Sequence, residues 1–142
     1  MRARCKLPSH SPLGAGVSET GGLVPLRVPH GWNVVHNALW AARLPDGRVE
    51  VNDSEDLYWA CTAPLPFLTD EERKERAGTG DLRCGEINID AGWYTDSFRI
   101  VVLDPGWDEV RASHATSGFV SFVGTLETWM WEITCRGEFP ES

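Results

Sequence analysis

The chain has 142 residues, 42% of them apolar and 24% charged, and a formal charge of −8, which is enough sequence for one domain to bury a core without a metal or a disulfide to hold it. No apolar run reaches the roughly 18 to 20 residues of a membrane-spanning helix, so a membrane partner is not expected. Acidity of this size repels phosphate backbones, and with Arg73, Lys74 and Arg76 interleaved among Asp70, Glu71, Glu72 and Glu75 there is no basic patch to bind nucleic acid.

Residues 1–22 contain Pro8, Pro12, Gly14, Gly16, Gly21 and Gly22 but few large apolar groups. Burial cannot offset the entropy of ordering such a segment, so a flexible tail is expected there, ahead of a single domain over residues 23–142. The opening MRARCK is basic, but no apolar stretch of about 7 to 15 residues follows it, and a cytoplasmic protein is expected. The cysteines Cys5, Cys61, Cys84 and Cys135 are dispersed with no C-x-x-C pair, which predicts reduced structural thiols. His30 and His36 could join a metal site only by approaching His114 across a sheet, and neither a metal nor another cofactor is expected.

In chain order, residues 32–42 alternate, with Trp32, Val34, His36, Ala38 and Trp40 predicted on the better-buried face of one strand. Pro45-Asp46-Gly47 makes a turn, and Val49 and Val51 resume an extended pattern. In LYWACTA, Leu57, Trp59, Cys61 and Ala63 are assigned to the apolar face, and Tyr58, Ala60 and Thr62 to the other. Residues 69–77 have helix chemistry, with Thr69 and Glu72 at capping-box spacing. The clearest strand follows, where Ile87, Ile89, Ala91 and Trp93 alternate with Glu86, Asn88, Asp90 and Tyr94. Turns at Thr95-Asp96 and Asp104-Pro105-Gly106 fold SFRIVVLD and WDEVRASH back as two further strands. From Phe119 the period changes: Phe119, Phe122, Val123, Leu126, Trp129, Met130 and Ile133 recur three and four apart, an amphipathic helix capped by Thr116 or Ser117 and stopped at Arg136-Gly137. Sheet and helix each have an apolar face to hide, so the predicted fold is α+β: an antiparallel, mostly meander sheet with the C-terminal helix packed on one face. Ile89, Trp93, Ile100, Leu126 and Trp129 are the predicted centre of its core.

Several reaction classes lack their machinery. Gly14-Ala15-Gly16 and Gly78-Thr79-Gly80 are not followed by the Gly-Lys-Ser/Thr of a phosphate loop, and no G-x-S-x-G elbow is present. Carboxylates are the richest resource, but Glu86 and Asp90 are four apart on a strand, about 13 Å along it, beyond the roughly 5 to 10 Å of a glycosidase pair. Of seven tryptophans, Trp32, Trp40, Trp59, Trp93 and Trp129 fall on apolar phases and are assigned to the core, while Trp107 and Trp131 break phase. Exposed indoles beside carboxylates suit protein interfaces and also sugar stacking.

The run EINIDAGWYTDSFRIVVLD, then WDEV and an apolar terminal helix, resembles small acidic immunity-type proteins of bacterial polymorphic toxin systems. The residues that carry the likeness are Ile87, Ile89, Asp90, Gly92, Trp93, Tyr94, Trp107, Asp108 and the helix over 119–135, and the likeness extends over about residues 31–134. It implies an inhibitory protein-binding module without enzyme activity, whose partner is a secreted toxin domain. The expected binding face is Asp56, Tyr58, Glu86, Asn88, Asp90 and Tyr94, with the two tyrosines as anchors and the acids complementing a basic surface. The alternative expectation is a carbohydrate-binding or glycan-hydrolysing domain that uses carboxylates and tryptophans.

Overall fold

The structure, a computed structural model, describes residues 21–62, 71, 87–104 and 106–142. The expected tail therefore falls almost wholly outside the described residues, as do Glu86 and nearly all of the predicted 69–77 helix. The strands are β1 (Gly22–Leu23), β2 (Trp32–Asn37), β3 (Trp40–Arg43), β4 (Val49–Val51), β5 (Tyr58–Thr62), β6 (Ile87–Tyr94), β7 (Ser97–Leu103) and β8 (Val110–Thr116), followed by the helix α1 (Phe119–Arg136). All pairings are antiparallel. The fold is α+β, with a five-stranded sheet in the order β2-β5-β6-β7-β8 and a three-stranded sheet β1-β3-β4.

The second sheet arises because the predicted 32–42 strand breaks at Ala38. Asn37 Oδ1 accepts the Leu39 N–H at 3.1 Å, and Asn52 spans the corner, accepting from Trp40 N–H at 2.9 Å and donating to the Ala38 carbonyl at 2.7 Å. These side chains satisfy backbone groups that a continuous strand would have paired. A bulge between Val34 and His36 shifts the phase within β2, and beyond the break Trp40 (38%) is exposed while Leu39 and Ala41 are buried.

Beyond β5 the chain is a meander, as expected, and α1 lies over β7 and β8. Phe122, Val123, Leu126, Trp129, Met130 and Ile133 form its buried stripe. The core contains Ile89, Ile100, Leu126 and Trp129 with Trp93 packed against them, and Val24, Leu39 and Ala41 of the small-sheet region close it. Phe98 stacks on Phe122 with ring centroids 4.4 Å apart. The N-cap of α1 is Gly118, not Thr116 or Ser117, and it makes no side-chain capping bond; Thr116 Oγ1 instead accepts the Gly118 N–H. The stop is as predicted: Gly137 adopts φ 65° and donates to the Ile133 carbonyl.

Two expectations need correction. In β5 the assigned faces are reversed, because Tyr58, Ala60 and Thr62 pair with Ala91, Ile89 and Ile87 and so look toward the core. The strand is interior to the sheet and buried on both faces except at Trp59, so its alternation carries little signal, and the large ring of Tyr58 outweighs its hydroxyl. The Tyr58 hydroxyl is buried with no hydrogen-bond partner among the described residues, and burial, then the Glu127 carboxylate, pushes its pKa up to about 12. The cysteines are not uniformly reduced: Cys61 is a buried thiol outside any disulfide, but Cys135 is disulfide-bonded. The approach of His36 to His114, left open by the sequence, does not occur. His36 lies on β2 and His114 on β8, opposite edges of the sheet about 19 Å apart, and His114 turns to the core beside Trp129.

Candidate functional site on the sheet face away from the helix

Register determines which side chains share the face that α1 leaves. Trp59 and Cys61 of β5, Asn88, Asp90, Gly92 and Tyr94 of β6, Arg99, Val101 and Leu103 of β7, and Ser113 of β8 all alternate onto it. His36 joins through its pairing with Trp59. Asn88 is buried and accepts the Trp59 indole N–H at 2.7 Å, so its amide orders the floor of this face.

The 54–57 segment supplies the acids. It crosses β6 at Gly92, where Trp93 N–H donates to the Ser54 carbonyl at 2.8 Å and Leu57 N–H donates to the Ala91 carbonyl at 3.1 Å. A Cβ at residue 92 would fall 1.8 Å from the Glu55 carbonyl oxygen, so the approach requires glycine. Ser54 Oγ accepts the Asp56 N–H, the local bond that turns the chain. His36 Nε2 lies 3.1 Å from the Asp56 carbonyl oxygen, which can only accept, so that nitrogen is the donor.

This places Glu55 and Asp56 in the field of Asp90 and Tyr94. Burial first, and the Asp56 charge second, raise the Asp90 carboxyl to about 6, with His36 opposing them. The Tyr94 phenol is raised by burial, then by Asp90, Glu55 and Asp56, and Arg99 acts against that shift. The Arg99 guanidinium lies over the Tyr94 ring, 5.3 Å from its centroid. Beside them is a cavity of about 290 Å³, walled among the described residues by Asp90, Tyr94, Arg99, Val101, Trp107, Val110 and Ser113. A second cleft, of about 340 Å³, lies at the seam of the two sheets against Val51, Trp93, Phe98 and Phe119. One of its polar groups, Asn52, is already committed to the corner at Ala38.

Of the six residues expected to form the face, Asp56, Asp90 and Tyr94 come together. Asn88 is beneath them, Tyr58 is on the opposite side, and Glu86 lies outside the described residues. Glu55, His36 and Arg99 were missed. Arg99 was within reach, since Phe98, Ile100 and Val102 alternate into the core and leave it on the other phase. Trp107 broke phase in the sequence and is 61% exposed in the structure. Among the described residues no group of three His, Cys, Asp or Glu side chains could hold a metal ion.

The shift at Asp90 has a definite sign. Its pKa is higher folded, about 6, than the ordinary 3.8, so the ionised form opposes folding and the contribution to stability is fully present below pH 3.8 and lost as pH rises through about 6. Asp90→Asn is therefore expected to raise the melting temperature at pH 7.5 and to flatten the stability profile between pH 4 and pH 6.5. Thermal melts across that range test it, and an unchanged profile would show that Asp90 ionises without penalty.

The chain's function has to be argued from this site. No protein-family model, curated protein or solved structure matches the chain.

Proposed function

We propose that the protein is an inhibitory binding module of the immunity type, which neutralises a toxin domain by docking this sheet face on a basic surface. The observation that carries the reading is the grouping of Glu55, Asp56 and Asp90 around Tyr94 by a segment that only a glycine at residue 92 admits. An acidic rim steers a basic partner into encounter, and a half-buried aromatic anchor retains it. Trp107 extends the same face as an exposed apolar group. Catalysis has no part in this reading; inhibition is by occlusion.

Glu55 and Asp56 are both exposed, so reversing their charge leaves the core untouched. The Glu55→Lys/Asp56→Lys double variant is expected to melt like the parent and to associate at least tenfold more slowly with a partner recovered by pull-down. The difference should shrink with salt, because the screening length falls from about 10 Å at 0.1 M to about 3 Å at 1 M. A folded double variant that associates as fast as the parent at low salt overturns the reading.

No helix among the described residues is long and apolar enough to cross a membrane. In this reading the protein acts in the cytoplasm of the cell that makes the toxin. The reduced state of Cys61 suits that compartment and the Cys135 disulfide suits an oxidising one. The thiol state of Cys135, trapped by alkylation at lysis, decides between them: an alkylated thiol supports the cytoplasm, and an intact disulfide moves the site of action outside it.

A further inference from the structure

The 290 Å³ cavity beside Tyr94 has a chemistry that the docking of a basic surface does not use. At that volume, just under the roughly 300 to 1,000 Å³ usual for ligand pockets, it takes one ring-sized group. Its polar lining among the described residues is one carboxylate (Asp90), one guanidinium (Arg99) and two hydroxyls (Tyr94 and Ser113). The carboxylate only accepts hydrogen bonds, the guanidinium only donates, and the hydroxyls do both. Asp90 and Arg99 form no ion pair with each other: the guanidinium lies over the Tyr94 ring, and the carboxylate is under the influence of Asp56 and His36. Both retain hydrogen-bonding capacity for a ligand. Trp107, 61% exposed on the turn between β7 and β8, adds an open aromatic surface at the cavity wall.

We propose that this cavity is a subsite for one pyranose ring of a neutral glycan, with Trp107 against the ring's C–H face and Asp90 and Arg99 on adjacent hydroxyls. A vicinal diol needs donors and acceptors side by side, because each hydroxyl both gives and receives. Arg99 opposes a lone cationic side chain in the cavity, and Asp90, in a chain of net charge −8, opposes a phosphate or carboxylate. An uncharged polyol is the class that meets neither repulsion. An aromatic ring supplies the apolar surface such a ligand needs without consuming polar partners. The subsite goes beyond the docking reading: Arg99, Trp107 and Ser113 lie outside the acidic rim, and Asp90 and Tyr94 are shared.

The test is titration of the full chain with neutral hexasaccharides of glucose, mannose, galactose and N-acetylglucosamine, following the Trp107 indole N–H resonance in the parent and the heat of binding in the parent and every variant. Saturable movement of that resonance with at least one of them is expected. Trp107→Ala should lower the affinity at least tenfold with little change in melting temperature, since the ring is mostly exposed. Asp90→Asn and Arg99→Gln should each lower it severalfold. Glu55→Lys alone, whose charge is not among those acting on Asp90, should leave it within twofold while slowing docking, which separates failure of the subsite from failure of the docking face. Glycan binding that survives Trp107→Ala overturns the proposal. So does a Trp107 resonance that responds to lysine amide or arginine amide but to none of the glycans, or to no probe at all.

Discussion

Gly92→Ala is expected to destabilise the protein by about 3 kcal/mol or more, because the new methyl group would fall 1.8 Å from the Glu55 carbonyl oxygen. The obstacle is backbone, so no side-chain rotation relieves it. Either the 54–57 segment lifts off β6, losing the bonds from Trp93 N–H to Ser54 and from Leu57 N–H to Ala91, or the sheet distorts. Overpacking costs roughly 1 to 3 kcal/mol, and each backbone bond adds about 0.5 to 1.5 kcal/mol net. Gly124→Ala is the matched control. A Cβ there meets nothing within 4 Å, and the residue lies inside α1, where alanine is favoured by about 0.5 to 1 kcal/mol. Denaturant unfolding of both variants should give shifts of opposite sign. Equal small shifts would show that Glu55 does not rest on β6. A Gly92 variant that stays folded should also lose partner affinity, because Glu55 and Asp56 are held in place by the same contact.

The second large effect is at the centre of the core. Ile89 and Leu126 are fully buried in one cluster, on β6 and on α1. Truncating either to alanine removes hydrocarbon and leaves a cavity that close-packed neighbours refill only in part, so each should cost about 2 to 5 kcal/mol. Val120, on the outer side of the same helix and 59% exposed, should tolerate alanine within about 0.5 kcal/mol. Equilibrium unfolding of the three variants checks the assignment. If the Ile89 and Leu126 variants melt like the parent, α1 does not cover the sheet by this stripe.

The strands β6 and β7 and the helix α1 were legible because one face of each is apolar at a single repeating period. In β6, Ile87, Ile89, Ala91 and Trp93 alternate without interruption, and in α1 seven apolar residues recur at helical spacing. β5 was not legible in the same way. With Tyr58, Ala60, Cys61 and Thr62 all buried, it has no polar face, and a shift of one residue reverses every side chain. The break at Ala38 was hidden for a different reason. It depends on the Asn52 amide, which is local neither to β2 nor to β3 and becomes a backbone partner only when β4 pairs beside them.

By itself the sequence determined the α+β class, the terminal helix and its stop, the β6–β7 hairpin, and the placing of Asp90 and Tyr94 on a polar phase. Each of these follows from periodicity or from a turn residue within a short window, where neighbouring side chains decide the outcome. Only the tertiary structure decided that Tyr58 faces the core, that the first strands divide between two sheets, and that Glu55, His36 and Arg99 join Asp56 around Asp90 and Tyr94. Those features depend on register between segments up to about sixty residues apart. Which carboxylates become neighbours, and which of them binds a proton near neutral pH, is set by that register together with one glycine that lets two backbones touch.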